Sequence, residues 1–283
     1  MDKKDISDVL GNFYRHLINE GKSSNTVNKY LRDVRQFFEY AQQREAMGFD
    51  PELLWGYRKY LETHYLASSA NSKISAVNHF LKSQNHSGSI RAFRVQKTRF
   101  RSEDRCLTKV EYLRLLRQAQ VDHKPQLCLA MQTIASTGIR ISELQFVTVD
   151  ALEKQEMVIY LKGKVRKVLL PEKLCRVLAV YAQNAQIIDG PIFVTQSGRP
   201  IDRSNLLHSM KRLCSKARVS SHKVFPHNLR HLFAVTYYEN QKDVCHLADI
   251  LGHSDVNTTR IYTSMSSNNY RQKIEELDLL LEE

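Results

Sequence analysis

The sequence contains no long hydrophobic run. None of its apolar stretches approaches the roughly 20 residues that a membrane-spanning helix needs. The opening residues, MDKKDISDVL, also lack the apolar core of a secretory signal. We therefore expect a protein of the cytoplasm.

Cysteine is scarce, and its spacing excludes the usual frameworks. The five cysteines are scattered, no two of them form a CxxC pair, and their odd number argues against a set of disulfides or a zinc ribbon. The chain also lacks the phosphate loop and the GxGxxG fingerprint of nucleotide-binding proteins, and it shows no internal repeat. We therefore predict no nucleotide-driven chemistry and no cofactor or metal.

Positive charge is in excess. The chain has 42 Lys and Arg against 30 Asp and Glu, a formal net charge of +12, and the excess is present both in residues 1–104 and in the remainder. Neutralisation of phosphates by such side chains releases counterions and drives binding to nucleic acid. Charge alone leaves an ordinary basic protein without a polyanionic partner as the alternative.

Apolar spacing in the first part of the chain predicts a small bundle of helices. Residues 5–20 form the first, and Ser24 is expected to cap a second, in which apolar residues recur three and four apart. Pro51 opens a third helix, and Ser68 or Ser69 is expected to cap a fourth. With 283 residues, the chain is long enough for a further domain.

The helical pattern breaks in the stretch HSGSIRAFRVQKTRFRSED, which carries five basic residues and no acid between Arg91 and Arg101. We interpret residues 89–104 as a basic linker between a domain over residues 1–88 and a second over residues 105–283. Basic side chains of the second helix and the linker are candidate contacts to a nucleic-acid backbone, with a solvated surface as the alternative: Lys29, Arg32, Arg35, Arg91, Arg94, Lys97 and Arg99.

The second domain combines helices with a small sheet. Thr108 and Glu111 have the spacing of a capping box, and a further helix ends at Gly138. The stretches MVIYL and KVLLP flank KGKVR as a hairpin with lysines at its tip, and GPIFV is expected to form another short strand. The fold class predicted for the whole chain is mainly α with a small antiparallel β-sheet.

The stretch HNLRHLF, residues 227–233, could form a metal site, a core helix or an anion-binding site. The residue after its first histidine is Asn228, whereas a zinc protease needs a glutamate there, and Arg230 would repel a metal ion. His231 lies beside the expected buried stripe of Leu229, Leu232, Phe233 and Thr236, and suits a core position. His227 and Arg230 share another face, which suits an anion such as phosphate.

Three segments in order, ASTGIRISEL (135–144), HNLRH (227–231) and LADILGHSDVNTTRIYT (247–263), resemble those of the tyrosine recombinases, the phage integrases and Xer-type site-specific recombinases. The resemblance extends to residues 23–41, which are similar to the family's core-binding domain. It implies a SAM-like N-terminal bundle followed by a DNA breaking-rejoining catalytic domain.

The resemblance also implies a set of site residues. Arg140 matches the first catalytic arginine, and Glu143 the glutamate that supports it. The hairpin lysine matches Lys162 best, although the hairpin is shifted relative to the family pattern and Lys164 stays an alternative. The remaining catalytic matches are His227, Arg230, His253 and the nucleophile Tyr262, for which Tyr270 is a weaker alternative.

The chemistry accounts for these residue types. A tyrosine hydroxyl is a weak nucleophile and a phosphodiester a poor electrophile. Arginines stabilise the charge that develops on the phosphate oxygens, a lysine protonates the departing 5′ oxygen, and histidines hold the phosphate or accept the tyrosine proton. Residue types alone would also permit a nuclease; the resemblance implies strand exchange through a 3′-phosphotyrosine, without metal or ATP.

Two alternatives remain, a type IB topoisomerase-like enzyme and a DNA-binding regulator without catalysis. The resemblance favours a recombinase acting in DNA integration, excision or resolution in a prokaryotic nucleoid, on double-stranded DNA with inverted half-sites. It implies a protomer that is monomeric in solution and forms a tetramer on DNA through the C-terminal helix 268–283. The short N-terminal region leads us to expect no arm-binding domain, and hence a simple Xer-like or transposon-resolution role.

Overall fold

The computed structural model describes residues 3–94, 105–161, 164–195, 197–253 and 255–263. The chain separates into two compact units, Met1–Lys97 and Thr98–Glu283. Helices dominate both units, and the second contains a two-stranded antiparallel sheet. This confirms the predicted fold class. In the described part of the chain, no helix is both long and apolar enough to cross a membrane.

Within its described residues, the first unit consists of four helices: α1 (Lys3–Asn19), α2 (Ser24–Gln42), α3 (Pro51–His64) and α4 (Ala67–Ser83). Their apolar faces enclose a core rich in aromatic side chains, among them Phe13, Phe37, Tyr57 and Phe80, which are fully buried. Edge-to-face ring contacts such as Phe13–Phe80, with centroids 5.4 Å apart, add to the energy of burial. Periodicity therefore predicted these helices correctly.

The cap residues differ from the prediction at two helices. The hydroxyl of Ser23, one residue before the expected Ser24, accepts the Thr26 N–H and caps α2. Helix α4 begins at Ala67, and its N-cap residue Leu66 makes no side-chain hydrogen bond. Neighbouring serines offer several equivalent capping positions, so packing of the helix decides where it begins.

The segment after α4 packs against the first unit. The backbone of Ile90 exchanges hydrogen bonds of 2.7 and 2.8 Å with the Asn78 amide, and that of Phe93 exchanges bonds of 2.7 and 2.9 Å with the Asn71 amide. Ile90 is buried in the core. The first residues of the predicted linker are therefore attached along α4.

The elements of the second unit are α5 (Lys109–Val121), α6 (Pro125–Thr137), a 3-10 helix (Ile141–Phe146), α7 (Val149–Glu153), β1 (Glu156–Leu161), β2 (Lys164–Leu169), α8 (Glu172–Asn184), α9 (Arg203–Ala217), α10 (Pro226–Gln241), α11 (Val244–Leu251), a 3-10 turn (Val256–Thr258) and α12 (Arg260–Thr263). Thr108 and Glu111 form the predicted capping box at α5. The core is built around α6, which packs against α5, α8, α9 and α10.

The sheet differs from the prediction in two ways: its second strand is longer, and the stretch GPIFV does not add a further strand. Strand β2 begins at Lys164, earlier than the expected 167, and pairs with Leu161 across two intervening residues. The stretch GPIFV forms isolated bridges, Thr148 to Pro191 and Val194 to Pro200, and no strand. A proline at each bridge removes a backbone donor, which prevents a continuous ladder.

Candidate active site

A left-handed turn after α6 positions Arg140. Gly138 has φ +67°, and a Cβ on it would overlap the Phe233 ring, so only glycine fits. Its N–H bonds the Ile134 carbonyl and ends the helix. Arg140 follows at the start of the 3-10 helix with its side chain 44% exposed, and is available to a ligand.

Glu143 gathers two arginines around one buried carboxylate. Its Oε1 accepts from Arg140 Nη1 at 3.0 Å, and its Oε2 accepts from the Arg140 backbone N–H at 2.7 Å and from Arg166 Nη2 at 2.6 Å. Charge-assisted bonds of this length hold a guanidinium firmly. The carboxylate therefore orients Arg140, the support that the resemblance implied.

Arg166 is a residue of the site that the sequence analysis missed. Besides its ion pair with Glu143, its Nη1 donates to the Ile250 carbonyl at 2.7 Å, close to the end of α11. Alternation of side chains along the strand could have predicted this position, had the second strand been extended back to include Arg166. Arg166 pairs with the buried Ile159 and therefore lies on the inward face of the hairpin.

Arg230 lies inside the protein, not on an open helix face. It is only 2% exposed and donates to the carbonyls of Gly138 and Leu251 and, at 3.0 Å, to His253 Nε2. These contacts use three of its five N–H donors, leaving Nε and one Nη1 hydrogen. Burial, followed by repulsion from Arg140, lowers the pKa of Arg230 to about 10. It stays charged at neutral pH.

His253 is held as a neutral imidazole in one tautomer. Because an arginine has no acceptor, the contact with Arg230 requires an unprotonated Nε2. The proton is then on Nδ1, which donates to the Thr259 hydroxyl at 2.8 Å. Burial, followed by the nearby arginines, lowers the pKa of His253 to about 4. Thr259, fully buried, is a second residue that the sequence analysis missed.

Tyr262 lies beside His231 and His253. It belongs to the short helix α12, is 3% exposed and is part of a cluster of buried side chains that includes Leu251. Its ring is nearly parallel to that of His253, with centroids 6.2 Å apart, and edge-on to that of His231 at 5.2 Å. Its N–H bonds the Thr259 carbonyl at 2.9 Å. One threonine therefore holds the backbone of Tyr262 and the imidazole of His253.

In the first turn of α10, one polar side chain is exposed and its neighbour is buried. His227 is exposed, and partial burial of its ring followed by Arg230 and Arg140 lowers its pKa. Asn228 is buried and donates to the carbonyls of Arg105 and Lys223, both at 2.7 Å. An asparagine at this position therefore anchors the helix.

The buried stripe expected along α10 is wrong in part. Leu229 is fully buried, whereas Leu232, Phe233 and Thr236 are half-buried. The fully buried large side chain next to Leu229 is Arg230. A polar residue occupies this core position because backbone carbonyls from two other segments satisfy it.

One trio of described side chains has spacing that suits a metal ion, and it lies in the first unit. Nε2 of His79 and Nε2 of His16 are 2.7 and 3.3 Å from the carboxylate oxygens of Glu20. Lys22 Nζ is also 3.3 Å from this carboxylate. Hydrogen bonds and this ion pair account for the cluster without a metal.

The candidate DNA contacts of the first unit differ in their ion pairs and in the exposure of their side chains. Lys29 bonds the buried Asp33 at 2.7 Å, and Lys73 lies 3.4 Å from the same carboxylate. Arg32 lies 3.7 Å from the same carboxylate, but its side chain is 74% exposed, and Arg35 is exposed as well. The remaining two described candidates, Arg91 and Arg94, are exposed.

Several predicted positions lie outside the described residues. These are Lys97, Arg99, Lys162, Tyr270 and the helix 268–283. Lys164 begins β2, but its side chain is likewise outside the description.

Comparisons with known proteins agree on one family. Residues 105–269 match the model of the phage integrase family, and residues 10–86 match that of the phage integrase N-terminal SAM-like domain. Tyrosine recombinase XerA of Thermococcus kodakarensis is 27% identical, with 97% of this chain and 96% of the relative aligned. Tyrosine recombinase XerD of Shewanella oneidensis is 26% identical, with 91% and 90% aligned.

Solved structures share the fold. The Tn1549 transposon integrase in complex with transposon right end DNA superposes with a TM-score of 0.72 at 17% identity, covering 95% of this chain and 99% of the other. The XerH recombinase bound to its difH substrate gives a TM-score of 0.67 at 19% identity, covering 88% and 78%.

Proposed function

The chain belongs to the phage integrase family and is a tyrosine-type site-specific DNA recombinase, and from this premise we propose which of its residues carry the reaction. The observation behind the proposal is the convergence of Arg140, Arg230, His253 and Tyr262 in one site of the second unit. Two arginines beside a tyrosine suit attack on a phosphodiester better than any hydrolysis that needs a metal-bound water.

Arg140 and Arg230 bind the scissile phosphate in this proposal. Arg140 is exposed and braced by Glu143, so its free donors face a ligand in a set orientation. Arg230 contributes the two donors that its carbonyl and imidazole partners leave. Donors held in place before the reaction stabilise the five-coordinate phosphorus without reorganisation.

Proton transfer requires an acceptor at the tyrosine and a donor at the leaving oxygen. His227 and His253 both have lowered pKa values and are neutral at pH 7, and a neutral imidazole with a free ring nitrogen is able to accept the Tyr262 proton. Nε2 of His253 is already engaged by Arg230, which favours the exposed His227 as acceptor. Lys162 donates the proton to the 5′ oxygen, with Lys164 as the alternative.

The covalent step exchanges one phosphate ester for another. The Tyr262 oxygen bonds to phosphorus as its proton passes to the histidine, and the bond from phosphorus to the 5′ oxygen breaks as that oxygen takes the lysine proton. The 3′-phosphotyrosine conserves the ester bond, so the 5′ hydroxyl of another strand is able to reverse the step. No nucleotide hydrolysis and no metal is required.

Double-stranded DNA is the partner, as the complexes of the Tn1549 integrase and of XerH illustrate for those proteins. We propose that the basic residues of the first unit, including the exposed Arg32 and Arg35, contact its backbone. We propose that the protein acts in DNA integration, excision or resolution, as a tetramer assembled on recombination sites with inverted half-sites.

Trapping the covalent intermediate tests the proposal. Duplexes that the protein selects from its source genome, nicked near the cleaved bond so that a short strand diffuses away, should give a covalent band with the parent protein. Tyr262→Phe should bind equally and give none, whereas Tyr238→Phe, a matched change in the same cluster, should behave like the parent. An adduct in full yield from Tyr262→Phe would refute the assignment, and Tyr270 would be examined next.

A further inference from the structure

We propose that Arg166 is a positioning residue of this active site. It joins the Glu143 carboxylate, which orients Arg140, to the end of α11, which leads into His253. In this way it fixes the position of Arg140 relative to that of His253. The inference rests on the proposed catalytic role of Arg140.

The first argument is the position of Arg166 in the hairpin. Among the described side chains of the two strands, Met157, Ile159 and Val168 face the core and are each at most 4% exposed, and Arg166 shares their face. An apolar residue would suit this position without any desolvation cost. A charge persists on a core-facing strand position only when partners at that position satisfy it.

The second argument is the pair of partners. Nη2 donates to Glu143 Oε2 at 2.6 Å, and Nη1 donates to the Ile250 carbonyl at 2.7 Å. These acceptors belong to segments 23 and 84 residues away in the sequence. Only a planar fork of donors reaches both at once, because a lysine ammonium presents a single point of contact.

The third argument is the space cleared for the side chain. Gly252 has φ +66°, and a Cβ at this residue would lie 2.5 Å from Cδ of Arg166. The turn that ends α11 and leads into His253 therefore fits around the Arg166 side chain. A change at Arg166 transmits directly to this turn and to the Leu251 carbonyl that holds Arg230.

Loss of Arg166 would loosen both halves of the site. Glu143 would keep only Arg140 among these cationic partners, and the Ile250 carbonyl would lose a charged donor. A misplacement of about 1 Å costs as much as 100-fold in rate. We therefore expect Arg166→Gln to cleave nicked substrate about 100-fold more slowly at saturating protein, with half-site affinity close to that of the parent.

Two further variants separate positioning from general folding. Lys167→Gln removes the neighbouring cation on the outer face, where Lys167 pairs with Glu156 at 2.9 Å, and should cleave like the parent. Arg166→Lys keeps the charge but reaches one acceptor, so its rate should lie between those of the parent and Arg166→Gln. Full activity in Arg166→Lys would mean that charge alone suffices and would overturn the inference.

A double-mutant cycle with Glu143→Gln decides the route of the effect. If Arg166 acts through Glu143, Arg166→Gln should lower the single-turnover rate far less in the Glu143→Gln background than in the parent. If Arg166→Gln unfolds, the same cycle is run with Arg166→Lys, which keeps the charge at this position. Parent-like cleavage by Arg166→Gln, or an equal loss in both backgrounds, would refute the inference. Absence of an adduct in the parent protein would instead refute the proposed function.

Discussion

Acidification should destabilise the second unit through His253. The folded protein holds this imidazole neutral, with a pKa lowered to about 4 by burial and by the neighbouring arginines, against 6.5 for an unperturbed histidine. Below pH 6.5 the unfolded chain therefore binds a proton that the folded chain refuses. Stability is intact above this pH and is lost progressively as the pH falls toward 4.

The size of the effect follows from the two pKa values. At pH 5.0 an unfolded histidine is almost fully protonated and a group with a pKa of about 4 is mostly neutral, which corresponds to about 2 kcal/mol. Solvent reaches part of the His253 ring, and screening reduces this to about 1 kcal/mol. For a unit of this size the midpoint temperature should fall by about 2–4 °C.

The measurement compares urea unfolding of the parent and of His253→Gln at about pH 7.5 and pH 5. The parent should lose about 1 kcal/mol more than the variant between these two pH values, because glutamine preserves hydrogen bonding without titrating. His227 shifts in the same direction but is present in both proteins and cancels. His222→Gln, a change at an exposed histidine of the same unit, is the control and should respond like the parent.

Equal losses in the parent and His253→Gln would refute the reasoning. They would mean that the folded protein accommodates a proton on His253, which the contact with Arg230 does not allow. A larger loss in the variant would point to some other group as the one that acid protonates.

Three further predictions concern the reaction. Lys162→Ala should regain cleavage with a substrate whose 5′ leaving group is sulfur, which needs no protonation, whereas Lys164→Ala should be nearly silent; the reverse pattern would transfer the role to Lys164. Cleavage should persist in excess chelator, apart from salt effects on binding. A loss of cleavage that zinc specifically restores would instead indicate a metal site at His227 and His231. Deleting residues 270–283 should leave half-site binding intact but abolish cooperative assembly and strand exchange in gel-shift titrations, and a truncated protein that completes recombination would disprove docking of this helix between protomers.

Local patterns in the sequence were sufficient wherever short-range chemistry decides the structure. The capping box of Thr108 and Glu111 is formed as its spacing predicts, because both bonds join residues three apart. Apolar periodicity located the helices for the same reason. Where several positions were locally equivalent, as with Ser23 and Ser24, the sequence could not choose among them.

The order of the three motifs identified the family and named the candidate site residues, because the residue types that a phosphotyrosine reaction needs recur at characteristic positions along the chain. The environment of those residues was decided by tertiary structure. Burial of Arg230, the tautomer of His253 and the inward position of Arg166 depend on carbonyl, hydroxyl and carboxylate partners contributed by other segments. A periodicity rule places every charged residue on the solvent side, because it considers only neighbours within a few positions. The carbonyls that accept hydrogen bonds from Arg230 in the interior are 21 and 92 residues away in the sequence, so such a rule could not predict its burial.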